Sequence, residues 1–352
     1  MIQNKRRIKL ARLFLRFFGR LLEMLLTRTT VTGLENIPRN EEAPLIFAGN
    51  HSSTYDGMLL LIHLPADVGL VGPGDFPLLF PANRIVDFLG VILIHRGTAD
   101  RDSLKKMTSL LKDGENLIIF PDGGTWEKRL DDVKPGVAYL SMTTGARIVP
   151  ISIGGAYQIW SRIFRLKRPR ITLHIEPPIG PVVSEERKKR QEDLREASLN
   201  LMQIIYDHLP EAHQRRFDMH TRQKFSGSVE VLPESPELDL STDCYVIAEL
   251  VSKPNLFSPL HRNLKLPLQP FLQTNRFHDA NAFQAAVTAL QHTFEGDLSD
   301  YLDYRLGAKK AARAMEELEY LHTISLQAME QNLSLRFAPD VTLMDEPLPP
   351  NI

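Results

Sequence analysis

Between about residues 44 and 176, short runs that are apolar on both faces alternate with stretches whose apolar residues recur every three or four. The runs are 44–49 (PLIFAG), 68–72 (VGLVG), 91–95 (VILIH), 116–120 (NLIIF), 147–153 (RIVPISI) and 171–176 (ITLHIE). A run without polar alternation predicts a strand covered by helices on both faces. The clearest helical periods between them are 102–112 and 132–144. Strand–helix alternation of this kind predicts an α/β domain with a mostly parallel central sheet flanked by helices. Residues 184–209 predict a long amphipathic helix, with Ser184 available as its cap, that closes the domain.

The two ends of the chain follow other patterns. Residues 5–26 (KRRIKLARLFLRFFGRLLEMLL) contain no proline and one glycine, and predict a helix. Lys5, Lys9, Arg12, Arg16 and Arg20 recur at helical spacing on one face, and apolar side chains fill the rest. That pattern suits a helix lying in a membrane interface, and equally an amphipathic helix packed on its own domain. Residues 222–242 are rich in Ser, Pro, Glu and Gly and predict a linker. Three prolines without periodicity occupy 255–276, and 279–333 are helical in composition. The expected division is an amphipathic helix over 1–30, an α/β domain over 31–221, a linker over 222–242 and a small, mainly helical appendage over 243–352.

Composition narrows the classes of function. The 352 residues carry 42 Lys plus Arg and 43 Asp plus Glu, a formal charge of −1, yet residues 1–229 hold +8 and residues 230–352 hold −9. The first 28 residues alone reach +7. A basic front half suits an anionic partner. No base-stacking aromatic pattern or nucleic-acid motif accompanies it, so an anionic membrane surface is favoured over nucleic acid. No run of 18 apolar residues predicts a membrane span. The single cysteine, Cys244, excludes an internal disulfide framework and a Cys-based zinc cluster. No ligand spacing predicts a metal, and His63, His95, His174 and the C-terminal histidines have no partner pattern.

Candidate chemistry collects at the ends of the apolar runs. Gly49-Asn50-His51-Ser52-Ser53-Thr54-Tyr55-Asp56 follows the first. A carboxylate five residues beyond a histidine can fix its tautomer and free the other ring nitrogen as a base. Such a histidine can also do no more than tie its own loop. Leu89 to Arg96 ends a second run with an arginine, and Ile119-Phe120-Pro121-Asp122-Gly123-Gly124-Thr125 ends a third with a carboxylate and glycines. Arg96 could equally be a surface arginine, and Asp122 an ordinary Asx turn. Pro150 stands inside a further run, where a proline marks an edge or a bulge.

These segments together resemble the glycerophospholipid acyltransferase family, the 1-acyl-glycerol-3-phosphate acyltransferases in particular, over roughly residues 30–180. The NHx4D motif stands as Asn50-His51 through Asp56, the second motif ends in Arg96, and the fourth is centred on Pro150. The third, FPEGTRS in the family, reads Phe120-Pro121-Asp122-Gly123-Gly124-Thr125-Trp126 here, with Lys128 and Arg129 near the place of the family's arginine. The resemblance implies that His51 is the general base and Asp56 its orienting partner. It implies further that Arg96 binds the acceptor phosphate, and that Asp122, Gly123, Gly124, Thr125 and Pro150 shape the substrate site. The reaction implied moves a fatty acyl group from acyl-CoA or acyl-carrier protein to a lysophospholipid hydroxyl, with no cofactor and no metal. The expected place is peripheral, on the cytoplasmic face of a membrane rich in anionic lipids. A glycolipid or polyol acceptor, or a catalytically silent membrane-binding scaffold, remains as an alternative.

Overall fold

The computed structural model describes residues 2–38, 43–65, 68–74, 82–95, 100–125, 133–233, 238–253, 279–296 and 299–346. These divide into two compact units. The first comprises Met1–Gly72, Phe80–Ile94 and Asp100–Asp218, and the second comprises Pro73–Leu79, His95–Ala99 and Met219–Ile352.

The first unit is a seven-stranded sheet between helices, among them α3 (Ala82–Leu89) and the start of α8 (Glu211–Thr221). Its strands are β1 (Arg28–Thr32), β2 (Leu45–Gly49), β3 (Val68–Pro73), β4 (Ile92–Ile94), β5 (Asn116–Ile119), β6 (Arg147–Gly154) and β7 (Arg170–Ile175). They lie in the order β1-β7-β6-β2-β5-β3-β4. β2 pairs in parallel with both β5 and β6, β3 with β5, and β1 with β7; β7 runs antiparallel to β6. The sheet is thus mostly parallel, as the unbroken apolar runs predict, with β1 and β7 reversed. β2 shows why no alternation is visible in its sequence. Leu45 and Phe47 enter one core, which also holds Leu59 and Leu60 of α2 (Tyr55–His63) and Ile159 and Ile163 of α6 (Ile159–Phe164). Ile46 and Ala48 enter the other, with Met107 and Leu111 of α4 (Arg101–Lys112), Leu140 of α5 (Gly136–Thr144) and Leu201 and Ile205 of α7 (Arg190–Asp207). Each such large side chain removed from water contributes about 1.5–3 kcal/mol. The helix expected over 184–209 starts later, at Arg190, with Lys189 as its cap residue. Ser184 instead directs its hydroxyl to the Glu186 carbonyl.

The amino-terminal helix forms over Ile2–Leu26 (α1), but it turns an unexpected side inward. Ala11, Arg12, Gly19 and Glu23 are buried, and Arg12 Nε donates to the Leu89 carbonyl at 3.1 Å. A Cβ on Gly19 would lie 2.8 Å from the Ile62 side chain, so the glycine permits the close approach of α1 to α2. Glu23 faces His63 Nε2 at 2.8 Å across the same seam. The apolar residues Leu10, Leu13, Phe14, Phe17, Phe18, Leu21, Leu22, Met24 and Leu25 point outward and are exposed. The solvated basic face expected for the helix therefore loses Arg12 to the interior. No described helix is long and apolar enough to cross a membrane.

The second unit corrects the expected linker. Residues 223–232 form a strand, β8 (Gln223–Leu232), paired antiparallel along its whole length with β9 (Ser334–Leu343). Phe225, Val229 and Val231 point inward while Lys224, Ser226, Ser228 and Glu230 point out, an alternation that the Ser- and Glu-rich composition masks. A Cβ on Gly227 would meet the Cys244 carbonyl at 2.5 Å, so this strand must carry a glycine there. Residues 255–276 lie outside the described residues. Helices α9 (Tyr245–Ser252), α10 (Ala280–Glu295), α11 (Ser299–Leu306) and α12 (Ala308–Glu330) supply the helical content expected here, with the ribbon added. Phe283, Val287, Leu318, Leu321, Leu335 and Phe337 are among its fully or nearly fully buried side chains. Cys244 is buried too, and burial pushes its thiol up to about 12, with Glu317 adding to the effect.

Glu249 of α9 forms ion pairs with Lys253 and with Lys310 of α12. Burial opposes ionisation, but the two ammonium groups win and hold the carboxyl down to about 2. A depressed carboxyl stabilises the fold above its unfolded value of 4.5, and that stability is lost as pH falls through about 2. Glu249→Gln should therefore flatten the acid dependence of stability between about pH 4.5 and pH 2, removing on the order of 2–3 kcal/mol. Urea melts of the full chain across that window measure it, and parallel acid limbs would refute the assignment.

Candidate active site

Parallel strands β2, β5 and β6 bring their carboxyl ends to one edge of the sheet, where α/β folds present reactive groups. Two residues beyond β2 stands His51, and α2 begins four residues later. Asn50 fixes the exit of the strand. Its side chain donates to the Ile153 carbonyl at 3.0 Å and accepts from the Ile153 N–H at 2.7 Å, which ties the end of β2 to β6.

His51 Nδ1 lies 3.0 Å from Asp56 Oδ2. Asp56 is fully buried and His51 is 18% exposed. The same carboxylate oxygen accepts the N–H groups of Ser52 at 2.7 Å and Ser53 at 2.8 Å. With two donors already fixed on it, the carboxylate takes the imidazole as a third and assigns the ring proton to Nδ1. Nε2 then carries the lone pair, and it has no hydrogen-bond partner among the described residues. The local fold makes this possible because the turn at 52–54 brings Asp56, in the first turn of α2, back under the loop.

Asp122 has a further task that its sequence context did not announce. Its Oδ2 accepts the backbone N–H of His51 at 2.7 Å, which clamps the loop after β2 to the loop after β5. The Phe120 ring stacks on the His51 imidazole, centroids 4.1 Å apart and planes 13° off parallel. Gly123 takes a left-handed φ of 68°, and its N–H closes the turn on the Phe120 carbonyl at 3.0 Å. That N–H is therefore spent inside the turn and is not presented to an anionic ligand. Gly124 is buried and Thr125 half-buried at the end of the described segment.

Pro150 sits inside β6, beside Ala48 in register. Its carbonyl accepts the Glu176 N–H at 2.9 Å. The donor it lacks falls where the chain leaves β7 after Ile175, before the bridge between Ile148 and Ile179 restores pairing. The proline thus marks a gap in the ladder of an interior strand. Arg96, Lys128 and Arg129 lie outside the described residues.

Neighbouring groups bear on the chemistry. Burial pushes the Tyr55 phenol up to about 12, with the charges of Glu23 and Asp56 adding and a Thr27 contact opposing. Tyr55 therefore stays neutral and is no rival base. Trp160 Nε1 donates to Thr54 Oγ1 at 2.9 Å, and its ring meets Tyr55 edge-on. Of the basic residues between 162 and 170, Arg162 within α6 donates to the Gly155 and Tyr157 carbonyls, and Arg168 to the carbonyls of Met24 and Thr27. Those two arginines tie backbone segments together, and Arg165, Lys167, Arg168 and Arg170 are exposed.

The fold and this pair define an α/β protein with a carboxylate-supported histidine at its sheet edge. Residues 28–154, about a third of the chain, match the family model for Acyltransferase. All four motif segments lie in that span. The chloroplastic 1-acyl-sn-glycerol-3-phosphate acyltransferase of Brassica napus is 27% identical over 135 residues, 38% of this chain and 39% of that protein. Its counterpart from Arabidopsis thaliana is 27% identical over 135 residues, 38% of this chain and 37% of that protein. The chain thus spans under two fifths of the length of either curated relative. Among solved structures, the 1-acyl-sn-glycerophosphate (LPA) acyltransferase PlsC from Thermotoga maritima aligns with a TM-score of 0.42 at 20% identity, covering 57% of this chain and 81% of that one.

Proposed function

We propose that this protein is an O-acyltransferase that moves a fatty acyl group from an acyl thioester to the hydroxyl of a lysophospholipid, with 1-acyl-glycerol-3-phosphate as the acceptor. The observation that carries the proposal is the His51–Asp56 pair, buried on the carboxylate side and open at Nε2, on a segment of acyltransferase family. In the step proposed, Nε2 takes the acceptor's hydroxyl proton while the oxygen attacks the thioester carbonyl. The tetrahedral intermediate then expels the thiolate, which takes the proton back from the imidazolium, so ester and free thiol leave. Asp56 keeps the imidazolium favourable by its charge, and Asp122 and Phe120 fix the ring's place. The donor is acyl-CoA or acyl-carrier protein, already activated, so the chemistry calls for no protein nucleophile and no cofactor.

The protein acts peripherally, on the cytoplasmic face of an anionic membrane. The outward apolar face of α1 supports this, since a soluble surface rarely gathers so many large apolar side chains on one helix. Phe164 and Leu166, 79% and 81% exposed, add a second apolar projection in the same unit. Arg96 is the proposed phosphate ligand, because a guanidinium fork matches phosphate oxygens.

A panel of acceptors with thiol-release detection tests the substrate class. Lysophosphatidic acid should support turnover above neutral monoacylglycerol, glycolipid and polyol acceptors. Arg96→Ala should raise KM for the phosphorylated acceptor about tenfold or more, with little change for a neutral one. Preferred turnover of a glycolipid would transfer the proposal to the alternative acceptor, which the altered third motif at Asp122-Gly123 keeps in view. No thiol release with any acceptor would favour the silent scaffold.

A further inference from the structure

We propose that His174, Glu176 and His208 form a transition-metal site, of the kind that takes Zn2+, which clasps the β1–β7 edge of the sheet to the end of α7. His174 and Glu176 stand two positions apart and His208 lies far along the chain, with no ligand motif joining them; the fold assembles the three. His174 lies in β7, Glu176 follows that strand, and His208 caps the carboxyl end of α7.

The donor atoms converge. His174 Nε2 is 2.9 Å and His208 Nδ1 2.8 Å from Glu176 Oε1, and one atom from each residue lies within 4.8 Å of the other two. Despite those distances, Oε1 is buried and makes no aligned hydrogen bond among the described residues. Two imidazole nitrogens therefore crowd a carboxylate oxygen without pointing their N–H groups at it. A cation seated among the three lone pairs would satisfy all of them at once. Two nitrogens and one oxygen from neutral imidazoles and a carboxylate match zinc chemistry, with a fourth position left for water.

The surroundings suit this use. His174 Nδ1 is 2.6 Å from the Thr32 hydroxyl on β1, so the ring's remote nitrogen has the partner that metal-bound histidines generally need. The imidazoles of His174 and His208 stack with centroids 5.0 Å apart. His174 is 33% and His208 45% exposed, which gives an ion a path from solvent, while Glu176 at 13% keeps the anionic donor sheltered. One contact opposes binding: His208 Nδ1 also lies 3.0 Å from the Ile204 carbonyl, and ligation at that nitrogen gives this contact up. A single surface hydrogen bond is a small term beside a three-ligand metal site.

The site is separate from the proposed chemistry, and so is its test. Full-length protein, stripped with EDTA and dialysed, is titrated with ZnCl2 by calorimetry and melted with and without one equivalent of the metal. One saturable site and a rise of several degrees in Tm are expected. His208→Ala removes a half-exposed side chain at a helix end with little risk to folding, and should weaken Zn2+ binding at least tenfold and erase the Tm shift. Glu176→Gln should do the same, while His292→Ala, an exposed histidine of the second unit, should leave both readings unchanged. Absence of saturable binding, or a His208→Ala protein that binds as the wild type does, overturns the proposal. Neither readout uses acyl transfer, so the site and the proposed function can fail independently.

Discussion

Replacing His51 by alanine should lower acyl transfer by about 10²–10⁴-fold, the usual worth of a positioned general base, while the protein still folds. The fold should survive because little of it depends on the imidazole. Asp56 Oδ2 keeps the Ser52 and Ser53 N–H groups, and the clamp from Asp122 reaches the His51 backbone, which alanine retains. The loss is confined to the ring's contact with Asp56 and its stacking on Phe120. Asp56→Asn provides the complementary case. Its oxygen, placed where Oδ2 stands, can still accept the two backbone N–H groups and the Nδ1 proton, but the charge that favours the imidazolium is gone. Transfer should drop by a similar factor with the loop intact. Thiol release and circular dichroism on the same preparations measure both effects. Wild-type turnover in His51→Ala would remove the base from the mechanism; lost activity with a lost fold in Asp56→Asn would show its carboxylate to be structural.

How much of this was visible in the sequence depends on how local each cause is. The central runs that became β2, β5 and β6 are covered on both faces, and that condition leaves its mark at nearly every position; β7 faces one core only, with Ile171, Leu173 and Ile175 alternating against outward residues. β1 escaped because it is an edge strand of Arg, Thr, Thr, Val and Thr, and only β7 beside it makes it a strand. β8 was hidden for a different reason. Its inward residues alternate regularly, but a glycine among them and the serines, lysine and glutamate between them give the composition of a linker. The His51–Asp56 pair was legible since five residues and one turn contain it. The hold of Asp122 on the His51 backbone and the stacking of Phe120 were not, because both depend on β2 and β5 lying side by side. The same limit hid the His174, Glu176 and His208 cluster. In α1 the sequence showed two faces but not which one the domain would take. Arg12, Gly19 and Glu23 decided that by specific partners, Leu89, Ile62 and His63, none of them near in sequence.

That orientation of α1 sets the second large effect. Changing Phe14, Phe17 and Leu21 together to serine should weaken binding to anionic vesicles by about 10²-fold or more. The three side chains are 59%, 72% and 53% exposed, so they contribute little to the folded unit in water. Burying each in the headgroup boundary is worth about 1 kcal/mol or more, given 1.5–3 kcal/mol for full removal from water. Ala11, Leu15, Gly19 and Glu23 keep their inward contacts, and the melting temperature should hold. Salt adds a second, smaller dependence: Arg7 and Arg20 are exposed on the same helix, and each is worth about 1 kcal/mol near an anionic surface at low ionic strength. High salt should therefore reduce vesicle binding of the wild type and leave the apolar part. Co-sedimentation with phosphatidylglycerol vesicles at two salt concentrations separates the contributions. Unchanged binding in the triple variant would mean that the exposed face of α1 meets a protein rather than a lipid surface, and it would leave the basic residues alone to explain any membrane attraction.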